Sequence, residues 1–272
     1  MNHLSVSVLG VGLLGPGLAS WAGARGVLGG STVHVTGVTP LSAPQRLPSA
    51  ERRRAGAAIK LAMAVADEAV MDAGIDPQML ATVFTASSGE GAICHALCEA
   101  LARPERSVSP TRFTNSVHNA AAGYWHIAVA SRAASTSLCG YDAGFGAGLL
   151  EAATQVAVSG APVLLVATDT PYPQPLHATR PLPDNFGLAL VLAAQGAARV
   201  LATLHVALRT GEAPVPATPC RQASLEALRA SIPAAAGLPL LEALARPARE
   251  RRVVLDCPHR LQLFVDITIE PR

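Results

Sequence analysis

Lysine is almost absent from this chain: Lys60 is the only one among 21 basic residues. The bias reflects genome composition more than chemistry. Charge of either sign is sparse at 15%, and 19 acidic residues leave a net charge of +2. With so few charges and so much apolar surface the chain is not disordered. Without a basic stripe interleaved with aromatics, which make up only 4%, it is not built to bind nucleic acid. No apolar run reaches the ~18 residues that cross a bilayer. The opening MNHLSVSVLGVGLLG lacks the basic stretch of a secretory signal and reads as a buried first strand. Cys94, Cys98, Cys139, Cys220 and Cys257 are odd in number and irregular in spacing, which argues against a disulfide framework and for reduced thiols in a cytoplasmic chain.

What is present is a 272-residue chain that is half hydrophobic, ample for a real core. Residues 5–12 predict a strand, and residues 32–37 a second. Residues 57–73 predict an amphipathic helix: Ile59, Ala62, Met63, Ala66, Val70 and Ala73 share a face, and Gly74 closes it. A strand at 81–86 ends in SSGEGA, and helices follow at 93–102 and 120–131. Residues 161–168 read as a buried parallel strand. Residues 187–193 and 198–209 read as paired strands joined by Gln195-Gly196. Residues 1–209 form the main α/β domain, with a mostly parallel, helix-covered sheet. Residues 210–222 are linker-like. Residues 223–272 form a short α/β extension on the same domain, with a helix near 225–245 and strands near 253 and 261–269.

The chemistry-bearing feature is residues 135–160, STSLCGYDAGFGAGLLEAATQVAVSG. A strand (135–141) meets a cluster of tiny residues and then a helix. Sharp strand-to-helix turns present nucleophiles in acyl-transfer enzymes. Here the turn holds Asp142 and Ala143, neither a thiol nor a hydroxyl. Cys139 lies upstream within the strand, where a core role is expected. Asp142 has no activating base beside it and suits the N-cap of the following helix.

Other clusters are weaker. Cys94 and Cys98 share a helix face, but His95 points elsewhere, so they make no metal site. Gly10-x-Gly12 lacks the context of a dinucleotide fingerprint. Asp169 and Thr170 end a strand with nothing nearby to complete a constellation.

In order and spacing, four segments resemble the N-terminal half of a β-ketoacyl synthase, a thiolase-fold condensing enzyme. They are IKLAMAVADEAVMDAGID (59–76), VFTASSGEG (83–91), TNSVHNAAAGYWHIAVASRAASTSLCGYDAGFGAGLLEAA (114–153) and FGLALVLA (186–193). The resemblance covers roughly residues 5–200. Registered on Asn119 and Gly123, it places the family's catalytic cysteine at Asp142 or Ala143. The family's His-Gly-Thr-Gly-Thr-like and Gly-His motifs do not occur, and about sixty residues after 210 are too few for its second half. The resemblance therefore implies a chain-length-factor-like, non-catalytic subunit that needs no cofactor. It would pair with an active β-ketoacyl-ACP synthase and shape its tunnel. The NSVHNAAAGYW segment is closest to the small ketosynthase-like subunits of aryl polyene pathways, related to polyketide and fatty-acid synthesis.

The resemblance also implies an interface. Its expected residues are Asn115, Val117, His118, Asn119, Ala120, Ala121 and Ala122 along the partner's tunnel, and Ser135, Thr136, Ser137, Leu138, Cys139 and Tyr141 along the strand that pairs across the dimer. Carrier protein is expected at Arg52, Arg53 and Arg54 or at Arg249, Arg251 and Arg252. Two alternatives stay open: a stand-alone acyl-transfer or hydrolytic enzyme using Cys139 or Asp142, and a homodimeric scaffold for carrier protein.

Overall fold

The first strand, Leu4–Leu14 (β1), is buried along nearly its whole length because it serves two neighbours in turn. The computed structural model describes residues 3–197, 199–210, 215–246 and 250–269. After β1 come α1 (Trp21–Gly29), α2 (Ser49–Arg54), α3 (Ala57–Ala73), β2 (Ala81–Ala86), α4 (Gly91–Ala102), α5 (Pro110–Asn115) and α6 (Ala120–Val129). Then follow β3 (Ser135–Cys139), α7 (Gly144–Ser159), β4 (Val163–Asp169), α8 (Leu176–Thr179), β5 (Phe186–Ala193) and β6 (Ala202–Arg209). The chain closes with α9 (Ala223–Ser231), α10 (Leu238–Leu244), β7 (Glu250–Asp256) and β8 (Gln262–Ile269).

The strands form one sheet in the order β3-β2-β4-β5-β1-β6-β8-β7. β2 runs parallel to β3 and β4, while the other five neighbouring pairs are antiparallel. The sheet is therefore mixed rather than mostly parallel. β5 and β6 do not pair with each other, because β1 lies between them. Residues 4–8 of β1 pair with β6, and residues 7–14 pair with β5 past an irregularity between Val8 and Gly10. Ala198, at the start of the expected second strand of that pair, lies outside the described residues.

Beyond β6, the edge of β1 needs other acceptors, since buried N–H groups rarely go unpaired. Helix α3 supplies them. Val11 N donates to Asp72 Oδ2 at 3.1 Å, Leu13 N to Glu68 Oε2 at 2.8 Å, and Trp21 N to Glu68 Oε1 at 2.7 Å. Glu68 and Asp72 of α3 are thus structural acceptors. Gly10 and Gly12 let the α3 backbone lie directly on β1.

Hydrophobic clusters fill both faces of the sheet. One carries Trp125 with the apolar face of α3, and the other carries Phe145 and Phe186 with α7 and α10. No described helix is long and apolar enough to cross a membrane.

Residues 32–37 form no strand. There the buried residue is His34, whose Nε2 lies 2.8 Å from Pro16 O, while Val33 and Val35 face outward. The segment is held by His34 and not by a ladder. The helix expected near 225–245 is two helices, parted by a 3₁₀ turn at Pro233–Gly237 because Pro233 lacks the N–H that would continue α9. Of the linker-like stretch, residues 211–214 lie outside the described residues, but residues 215–222 are tied down. Thr218 N donates to Val254 O at 2.9 Å, and Thr218 Oγ1 accepts from Val254 N at 2.8 Å. That contact occupies the outer edge of β7 at Val254.

Candidate functional site

β2 and β3 are parallel and end side by side, so the turns that follow them face each other. After β3, Gly140 leads into a 3₁₀ turn at Tyr141–Ala143 and then into α7. Small residues make the turn possible: a Cβ on Gly140 would lie 2.6 Å from Gly144 Cα.

The strained position is Tyr141 at φ 50, one residue before the two positions that the family register singles out. Positive φ is rare for a bulky residue and occurs where surrounding structure enforces it. Arg180, just after α8, covers the Tyr141 ring with Cζ 3.7 Å from its centroid. Arg180 Nη2 also donates to Asp142 Oδ1 at 2.6 Å. Asp142 is therefore an ion-pair partner and not a cap: the N-cap of α7 is Ala143, which makes no side-chain bond. Cys139 is exposed rather than part of the core, because β3 is the last strand of the sheet and has a neighbour on one side only. Local desolvation, followed by the Asp169 charge, pushes its thiol pKa up, the wrong direction for a nucleophile.

Behind the turn lies a narrow cleft lined by Phe84, Ser87, Glu90, His118, Ala121 and Tyr172, among others. It holds about 40 Å³ of free space, far below the several hundred Å³ of an ordinary ligand pocket. Most of its polar side chains are already engaged. Tyr172 Oη lies 2.7 Å from Ser88 Oγ and 3.1 Å from Ser87 Oγ. Asp169 accepts Ser87 N at 2.8 Å and Ala234 N at 2.7 Å, joining the end of β2 to the chain before α10. Burial pushes the Asp169 pKa up against those bonds. Glu90 accepts Ala58 N at 3.1 Å at the start of α3.

A wider, open groove of about 410 Å³ runs along the outer edge of β3. Val117, His118, Asn119, Ala122, Ser135 and Ser137 line it together with Gly123 and His126. Beneath it Thr82 Oγ1 donates to Ser135 Oγ at 2.8 Å and lies 3.1 Å from His126 Nε2, which is then the donor. Among the described residues no strand pairs with this edge.

The structure thus gathers most of the expected interface residues around two adjoining hollows. Asn115, Ala120, Ala121 and Leu138 line the cleft, with Val117 and His118 shared between cleft and groove. Asn115 is a strut, donating to Arg54 O at 3.3 Å and accepting from Tyr124 Oη at 3.2 Å. Thr136 faces α7 and accepts from Gln155 Nε2 at 3.0 Å.

Of the basic clusters, Arg52 is tied to Leu47 O and Gln45, and Arg54 to Glu51, while Arg53 is exposed. Arg252 pairs with Asp266 at 2.5 Å. Arg249 lies outside the described residues. His95 pairs with Glu99 at 3.4 Å, and no metal-ligating group of three occurs among the described residues. Sequence reasoning passed over Arg180, Tyr172 and Thr82. Arg180 had a signal: it is the one formal charge in the proline-rich stretch 171–183.

Fold and turn together define a thiolase-fold, ketosynthase-like protein. Residues 31–247 match the β-ketoacyl synthase N-terminal domain, and the chain belongs to that family. Three solved structures share its fold. One is a ketosynthase (ApeO) in complex with its chain length factor (ApeC) from Xenorhabdus doucetiae. It has 22% identity and a TM-score of 0.71, with 97% of this chain and 99% of that chain covered. The second is AntDE:AntF, a type II PKS acyl-carrier protein in complex with its ketosynthase bound to the hexaketide. It has 11% identity and a TM-score of 0.75, with 99% and 100% covered. The third is the ishigamide ketosynthase/chain length factor, at 16% identity and a TM-score of 0.71, with 98% and 100% covered. At these identities the likeness is one of fold. No curated protein matches the chain.

Proposed function

We propose that this chain is a non-catalytic, chain-length-factor-like subunit that pairs through β3 with an active β-ketoacyl-ACP synthase. The observation that carries the reading is the difference between the two ends of the sheet. The chain at Thr218 bonds the outer edge of β7 at Val254, whereas among the described residues nothing pairs with the outer edge of β3, which lies beside an open groove. A bare edge is a template for another chain, and natural proteins cover it unless it has a use. The turn after β3 supports the non-catalytic half of the reading, since it carries Tyr141, Asp142 and Ala143 and the nearby Cys139 thiol is pushed away from ionisation.

The cleft beneath the turn is too small for a long chain, so product would lie in a tunnel completed by the partner. Growing chains would arrive on acyl carrier protein. Arg53, exposed on α2 and next in the chain to Arg54, whose carbonyl holds Asn115, is the candidate proposed to meet it. By the resemblance of the NSVHNAAAGYW segment, the pathway proposed is of the aryl polyene kind.

Co-expression with a ketosynthase tests the reading. A stable one-to-one complex by size exclusion with light scattering is expected, and the chain alone should be self-associated or poorly soluble. A well-behaved monomer that ignores the ketosynthase would refute the proposal.

A further inference from the structure

The turn after β3 is filled as well as lacking a thiol. Tyr141 holds the strained position, with its side chain largely outside the core at 60% exposure. Arg180 lies on the ring at 3.7 Å and reaches Asp142 at 2.6 Å. Earlier in the same loop, Tyr172 holds Ser87 and Ser88 at the end of β2. One guanidinium therefore joins the turn to the 170–185 loop, whose Tyr172 holds the end of β2. Its own side chain is only 17% exposed.

An acyl thioester used at such a turn brings its carbonyl carbon to within about 3 Å of the strained residue's side chain. Its carbonyl oxygen must reach backbone N–H groups near the start of the next helix. Here the ring of Tyr141 takes the first place, and a cation in van der Waals contact covers its face. The cation is held there by the ring quadrupole and by a charge-assisted bond.

We propose that Arg180 seals this turn against acyl-thioester substrates, with Tyr141 and Asp142 as its anchors. Carrier-bound chains would then be excluded from this subunit's own turn, and the 170–185 loop would be fixed across it. The inference rests on the non-catalytic half of the proposed function, but it does not depend on any partner at β3.

Two measurements test it, neither using complex formation as its readout, so failure of the partner reading leaves them intact. In the first, Tyr141→Cys is made with Cys94, Cys98 and Cys139 changed to Ser, with and without Arg180→Ala. Acylation by an N-acetylcysteamine acyl thioester is followed by mass spectrometry and divided by the alkylation rate with iodoacetamide, a smaller reagent that reports thiolate character. Removing Arg180 should raise that ratio at least tenfold. An unchanged ratio overturns the proposal. The second keeps Tyr141 and compares hydrogen exchange in wild type and Arg180→Ala. Faster exchange confined to residues 140–146 and 172–182 is expected. Equal exchange there overturns the proposal, and this result decides the matter if the cysteine variants do not fold.

Discussion

Gly12 faces Val65 so closely that a Cβ built on it would lie 1.9 Å from the Val65 carbonyl oxygen. The obstacle is helix backbone, not the flexible end of a side chain. Gly10 meets Ala69 in the same way, at 2.2 Å. The Gly-x-Gly pair is thus the seat of α3 on β1, a packing device rather than part of a nucleotide site.

Gly12→Ala must push α3 off the sheet. A loss at or above the upper end of the about 1–3 kcal/mol typical of overpacking is expected, read as a lower denaturant midpoint with an unchanged slope. A loss below about 0.5 kcal/mol would mean that the helix can slide without cost.

Glu68→Ala takes both acceptors from Leu13 N and Trp21 N, in residues that are 1% and 7% exposed. Each buried donor left without a partner costs about 1–3 kcal/mol. A total loss on the order of 3 kcal/mol is expected in the same assay. Glu68→Gln keeps one strong acceptor and should fall between the variant and wild type.

These contacts show where the sequence was legible. The period of 3.6 in residues 57–73 gave α3 at its observed bounds, Ala57–Ala73, because one apolar face and a closing glycine are local signals. The edge position of β3 also followed, through the resemblance of residues 114–153. What was not legible depends on distant partners. The strand order at the middle of the sheet hangs on β1 inserting between β5 and β6, which no local pattern announces. The valines at 33 and 35 alternate like a strand, yet His34 is the residue buried, through a bond to Pro16. Arg180 and Tyr141 lie 39 positions apart, and only the folded chain stacks them.

Glu90 gives a pH signature. The residue is 6% exposed, and burial pushes its carboxyl pKa above the ordinary value of 4.5, outweighing the bond from Ala58 N. The folded state therefore keeps the proton longer than the unfolded chain does. Its contribution to stability is complete below pH 4.5 and is lost as the pH rises through the folded value. Glu90→Gln keeps a carbonyl acceptor for Ala58 N and cannot ionise. The stability of the variant relative to wild type should therefore grow from pH 4 towards neutrality. Parallel pH profiles for the two proteins would show that the folded carboxyl ionises as freely as the unfolded one.

The edge of β3 carries the sharpest prediction. Ser137 lies mid-strand and lines the open groove, so Ser137→Lys puts a charge where a partner strand would have to desolvate it. Lysine on an edge is a common natural guard against pairing. Affinity for the ketosynthase should fall at least tenfold, about 1.4 kcal/mol. The thermal midpoint of the isolated subunit should stay close to wild type, since Ser137 is not part of the buried core. Val158→Lys, at an 83% exposed position near the far end of α7, is the matched control and should leave affinity unchanged. If both lysines bind equally well, the partner does not sit on β3. If both weaken binding alike, the effect is one of net charge. Only a loss confined to Ser137→Lys places the seam on β3.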